Sequence, residues 1–264
     1  MDSERSTSEP WPAGEILRDI ARGGLAGLIV GIVIAGLGGR LVMRLAALLV
    51  PAATGSFTEN GNRIGDITLG GSIGLIVFVG LFAAVLFGVV WVVISPWLPG
   101  TGVARGLVAM PVAVALGTFG LMSRNNPDFF VLGHDPRVVA SLIGLVALVA
   151  PALAVVDGWL DRRLPHARSS DSPPWRAYLV LAVIGVVLGG PLILQAALGF
   201  ASRPLGLTVI AVGIVTLGWW RQRARGLGSP ARSSRLAARS ILVLGTAAGF
   251  SSLYPEVMGA LGLR

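Results

Sequence analysis

Arg40 and Arg44 stand four residues apart in the apolar run GRLVMRLAALL, so on a helix both guanidiniums share one face. Burying a guanidinium at mid-membrane costs about 2.5–3.5 kcal/mol on insertion scales, so each needs a partner or a route to water. Two chemistries follow. The pair can snorkel outward or meet acids of the next loop, or it can form a fork for a phosphate or carboxylate.

That next loop, FTENGNRIGDITLGG (residues 57–71), carries Glu59, Arg63 and Asp66 around an Asn60-Gly61 turn. These charges can pair with one another or with Arg40 and Arg44, making the segment either an ordered turn or an outer lid. A second polar segment, SRNNPDFFVLGHDP (residues 123–136), brings Asp128, His134 and Asp135. His134 beside carboxylates is the one combination suited to acid–base work or a divalent metal. A single histidine without a spaced partner assigns neither, and Asp128 and Asp135 next to prolines also read as turn formers. Glu256 and Tyr254 complete the set near the C-terminal end.

Other chemistries are excluded or unsupported. The chain has no cysteine, which removes disulfides, thiolate metal sites and cysteine nucleophiles. All 21 basic residues are arginine, so lysine Schiff bases are excluded as well. No HExxH or Walker A sequence occurs. No catalytic residue, metal site or cofactor is expected.

The elements that must position these residues are membrane helices. Of 264 residues 54% are hydrophobic and only 13% charged, with a mean hydropathy of +0.78. A soluble domain carries about 25% charged residues, so most of this surface must face lipid. About 20 apolar residues cross the hydrocarbon core. By that rule spans lie near 20–48, 67–95, 102–122, 138–159, 177–200, 204–220 and 239–260, with six spans as the alternative if the sixth or seventh is incomplete. The expected fold is an all-α polytopic bundle occupying residues 13–264 as a single domain, preceded by a disordered cytoplasmic tail over 1–12.

With the N-terminus inside, fourteen arginines fall in cytoplasmic segments and five outside, which orients the chain. The net charge of +8 is therefore a topology signal rather than a mark of nucleic-acid binding. Trp11, Trp91, Trp97, Trp159, Trp175, Trp219 and Trp220 all fall at or near the same inner interface. Asp157 and Asp161 close the fourth span there, with Arg162 and Arg163 expected to neutralise them. Glu15, Arg18, Asp19 and Arg22 read as i,i+3 pairs on an amphipathic turn before the first span. His166 reads as solvated.

Gly23, Gly27, Gly31, Ala35 and Gly39 form a four-residue stripe that admits another backbone closely. An internal helix contact is expected, with a homo-oligomer or partner seam as the alternative. Pro111, Pro151 and Pro191 fall inside spans, where proline frees a carbonyl and allows a kink.

Through GRLVMRLAALL, FTENGNRIGDITLGG, SPWLP and NPDFFVLGHDP, the first four spans resemble a family of uncharacterised actinobacterial multi-pass membrane proteins. The resemblance implies a bacterial plasma membrane and brings no activity or site residue.

Three functions fit these residues. The first is binding or transport of an anionic small molecule or lipid headgroup at an outward pocket of Arg40, Arg44, Glu59, Arg63, Asp66, Asp128, His134, Asp135 and Glu256. The second is a non-catalytic structural or assembly subunit. The third is an envelope-lipid enzyme using His134 with Asp128 or Asp135. Membrane lipids are the partners common to all three.

Overall fold

The computed structural model describes residues 12–58, 61, 63–65, 69–118, 121–123, 125–166, 173–199, 202–226 and 229–263. Among them every regular element is helical, apart from one isolated bridge between Phe57 and Arg63. Residues 1–11 of the expected tail lie outside this set.

Helix α1 runs unbroken over Pro12–Leu49. Proline suits the first turn, where its missing N–H is not needed. The helix stops where Val50 leaves the helical region before Pro51 (φ −127°, ψ 77°). Helix α2, Leu81–Ile94, is approached through Leu69–Gly74 and the π-helical Leu75–Gly80. Then come α3 (Gly102–Gly117), the short α4 (Pro127–Val131), α5 (Pro136–Asp161), α6 (Pro173–Leu198), α7 (Arg203–Ala224) and α8 (Arg232–Ala260).

Each of the seven apolar stretches thus contains a helix among its described residues, and the third helix ends at Gly117 rather than at 122. Five helices, α1, α5, α6, α7 and α8, are each long and apolar enough to cross a membrane. The pair Leu81–Trp97 and Gly102–Gly117 meets the same criterion only jointly, bent by 112°. Helix α8 begins two turns before the expected 239, because Arg232, Arg235 and Arg239 are already helical.

The stripe on α1 is filled from within the chain. A Cβ on Gly27 would lie 2.5 Å from Gly88 Cα, and one on Gly31 would lie 2.6 Å from Ala84 Cα. Only hydrogen at these positions lets α2 lie directly on α1. Just beyond, α1 widens into a π-helix over Gly31–Gly38, against the π-segment Leu75–Gly80 of the neighbouring helix. The second close crossing joins α3 to α5, where a Cβ on Gly106 would meet Pro151 Cα at 2.5 Å.

These seams divide the bundle. Helix α2 packs chiefly on α1, α3 packs chiefly on α5, and α1 touches α2, α5, α6 and α7. Between α2 and the α3–α5 pair the packing is thin.

Candidate functional site

One end of the bundle is ionic. Arg18, 3% exposed, reaches from α1 to the last turn of α5. Its Nη1 donates to Asp161 Oδ1 at 3.0 Å, and Nη2 to the Asp161 carbonyl at 2.5 Å. Nε and Nη2 also donate to the Leu164 carbonyl at 3.2 and 3.1 Å. A helix C-terminus leaves carbonyls unsatisfied, and a guanidinium from another helix meets both their hydrogen-bonding need and their negative dipole.

One turn on, Arg22 donates to Asp157 at 2.8 Å and Asp161 at 2.5 Å, and lies 3.4 Å from Asp19. Arg223 of α7 then reaches Asp19 at 2.6 Å. His166 Nδ1 lies 3.1 Å from Glu15, and Tyr178 of α6 donates to the Pro165 carbonyl at 2.8 Å. The acids of α5 are therefore neutralised by Arg18 and Arg22, not by Arg162 and Arg163. Arg163 instead lies over the Trp159 ring at 4.9 Å.

The tryptophans at this end divide into two groups. Trp91 and Trp97 are fully buried in the main hydrophobic cluster. Trp97 donates to Thr216 Oγ1 at 2.8 Å and meets Trp219 edge-on at 5.7 Å. Trp159, by contrast, is exposed.

The opposite end holds a cavity of about 470 Å³ in the thin region between α2 and the α3–α5 pair. Its wall is apolar: Ile34, Met43, Phe82, Phe87, Leu145 and Val149 are representative. Thr58, Asn126 and Asp128 supply its polar lining side chains. Val79 and Phe82 line it while 40% and 56% exposed, so the cavity is open to the surface there.

Its mouth is built from two loops. After α1, Ile64 N donates to Ser56 O, and Gly55 N to Ile64 O, both at 2.9 Å. This brings residues 55–56 against 63–64 and tucks Ile64 (2% exposed) against Ala46, Ala47, Leu132 and Val138. In the second loop Asn126 caps α4, accepting from Asp128 N at 2.8 Å.

The expected pocket residues have separate fates. Asp128 borders the cavity. Arg44 does not, but its Nη1 donates to the Gly65 carbonyl at 2.5 Å and so clamps the loop carrying Ile64. Arg40 is buried (8% exposed) on the same helix face as Arg44, outside the lining. Arg63 donates to the Gly55 carbonyl at 3.3 Å across the loop.

His134 takes a left-handed backbone (φ 56°) just after Gly133 (φ 62°). This turn aims its Nδ1 at the Ala260 carbonyl of α8, 2.9 Å away, with Phe130 edge-on at 4.9 Å. Asp135 caps α5 and accepts from Arg137 Nη2 at 2.7 Å, which lowers its pKa to about 2. Arg137 in turn donates to the Leu49 carbonyl at 3.1 Å, joining the end of α1 to the start of α5. Glu256 is half-buried on α8, and Glu59 and Asp66 lie outside the described residues. Among the described residues no three His, Asp or Glu side chains converge in a metal-binding arrangement.

The apolar cavity and the parts played by Thr58 and Asn126 escaped the sequence reading. Asn126-Pro127-Asp128 did carry a usable signal, since Asn before Pro at a helix start is an N-cap signature. No protein-family model, curated protein or solved structure matches this chain.

Proposed function

We propose that the chain is a seven-span protein of a bacterial plasma membrane, N-terminus inside, that binds a single-chain amphiphile in its outward half. The alkyl chain fills the cavity between α2 and α5. The head group rests at Thr58, Asn126 and Asp128. The observation that carries this reading is the cavity itself. Its 470 Å³ is of ligand-site size, its wall is apolar, and its polar side chains are few.

Among the described lining residues there is a carboxylate, an amide and a hydroxyl, but no guanidinium. Such a set favours a head that donates hydrogen bonds, a hydroxyl or an ammonium, over the anion that Arg40 and Arg44 suggest. Arg44 has a different part here: it holds the loop that roofs the site. The opening beside Val79 and Phe82 offers a route for the chain from the lipid phase.

Equilibrium binding of dodecylamine, dodecanol and dodecyl sulfate to the purified protein in nanodiscs tests this. The amine or alcohol should bind at least tenfold more tightly than the sulfate. Ala83→Phe, which fills the cavity, should abolish binding, while Val187→Phe on an exposed face should not. Preferred binding of the sulfate returns the head-group role to Arg40 and Arg44. Equal binding to Ala83→Phe removes the cavity from the account. Because the chain has no cysteine, a single cysteine at Asn126 tests orientation: an impermeant reagent outside the cell should label it.

A further inference from the structure

The 470 Å³ cavity has a neighbour with which it shares part of its wall. A second, smaller cavity of about 60 Å³ lies deeper in the bundle, and the two share Leu86, Phe87, Gly117, Val146 and Val149. These five residues border both chambers, as a collar where the two walls meet. Beyond it the wall passes through Val90 and Ala113 to Trp91 and Leu153, all apolar. Trp91 is 1% exposed and Leu153 4%, so the floor is sealed by core packing.

Size decides what can occupy the deep chamber. An apolar cavity of about 150 Å³ accepts a benzene-sized molecule and otherwise stays dry. At 60 Å³ this chamber is too small for a ring and too apolar to hold water stably. The end of a straight hydrocarbon chain is the shape that fits both the volume and the collar.

We infer that the two chambers form one channel that measures the ligand's alkyl chain, with the collar admitting a straight chain and Trp91 and Leu153 setting its maximum length. This rests on the amphiphile reading above and makes it more specific. Gly117 matters in the collar because it adds no side chain to a ring otherwise made of Leu, Phe and Val. A branched or ring-bearing chain stops at that ring. A straight chain passes until its terminal methyl meets the floor.

The test is binding of a homologous series of straight-chain amines, from 8 to 18 carbons, to the full-length protein in nanodiscs, with Kd expressed on free aqueous monomer. Each methylene drawn out of water should tighten binding about fourfold while room remains. The trend should break at one chain length. Ala113→Trp, which fills the deep chamber, should move the break to shorter chains without weakening the short-chain members. Leu153→Ala, which lowers the floor, should move it to longer chains, so the inference survives a failure of either variant to fold. A break in the same place in both folded variants overturns the channel but leaves amphiphile binding intact. Absence of binding by every member of the series overturns both.

Discussion

The two ends of this bundle solve opposite problems. At the basic end, three helices and a loop are tied through guanidinium–carboxylate contacts that leave little freedom: Arg18 and Arg22 reach Asp157, Asp161 and the carbonyls that end α5, and Arg223 reaches Asp19. At the cavity end, α2 and α5 stand apart, and the roof is a short loop held mainly by its own backbone and by Arg44. Charge satisfied across helices makes a fixed base; thin apolar packing makes a space that can be filled. A membrane bundle can thus be rigid and receptive at once, provided the two properties sit at different depths.

The comparison predicts separable effects. Arg22→Leu should be the most damaging change, since removing one partner of a largely buried ion pair leaves the others uncompensated. A loss of about 3 kcal/mol is expected, with amphiphile binding kept in whatever remains folded, as read by thermal denaturation and binding together. Gly31→Leu should follow, costing about 1–3 kcal/mol by forcing α2 away from α1. Its binding should also weaken, because the displaced helix carries Phe82 and Phe87.

Arg44→Leu should reverse the pattern. Little change in melting temperature is expected, but faster ligand dissociation, measured by stopped-flow exchange, since the clamp on Gly65 is lost. If Arg44→Leu instead unfolds the protein as readily as Arg22→Leu, the contrast between the ends is wrong.

Asp135→Asn should have the smallest effect, present at neutral pH and vanishing in acid. The native pKa of Asp135 is depressed from 3.8 to about 2 by the hydrogen bond from Arg137. Its contribution to stability is therefore present above pH 3.8 and lost as pH falls towards 2. The variant should be slightly less stable than the wild-type chain at neutral pH and should converge with it as pH falls through that window, which flattens its acid limb.

What was legible in the sequence, and what was not, follows from range. Apolar length located the long helices, five of them apolar enough to cross a membrane singly, and the stripe at Gly23, Gly27 and Gly31 announced a close backbone partner, because both signals are local. The ion pairs of α5 were misassigned for the same reason. Arg162 and Arg163 are its sequence neighbours, whereas the true partners, Arg18 and Arg22, lie more than 130 residues away. Arg40 and Arg44 drew attention as charges in an apolar run, yet the cavity is lined by other positions of their helix, including Gly39, Met43 and Ala46. A void has no motif: it arises where the packing between α2 and α5 is thin, which neither helix encodes alone.

The account stands or falls on what occupies that void. A straight-chain amine carrying a photoreactive diazirine at its terminal carbon, cross-linked to the protein in nanodiscs and mapped by mass spectrometry, reports this directly. Adducts on the collar and deep wall, at Leu86, Phe87, Val146 or Trp91, are the predicted result. Adducts confined to exposed positions such as Val186, Val187 and Leu198, with none inside, contradict it.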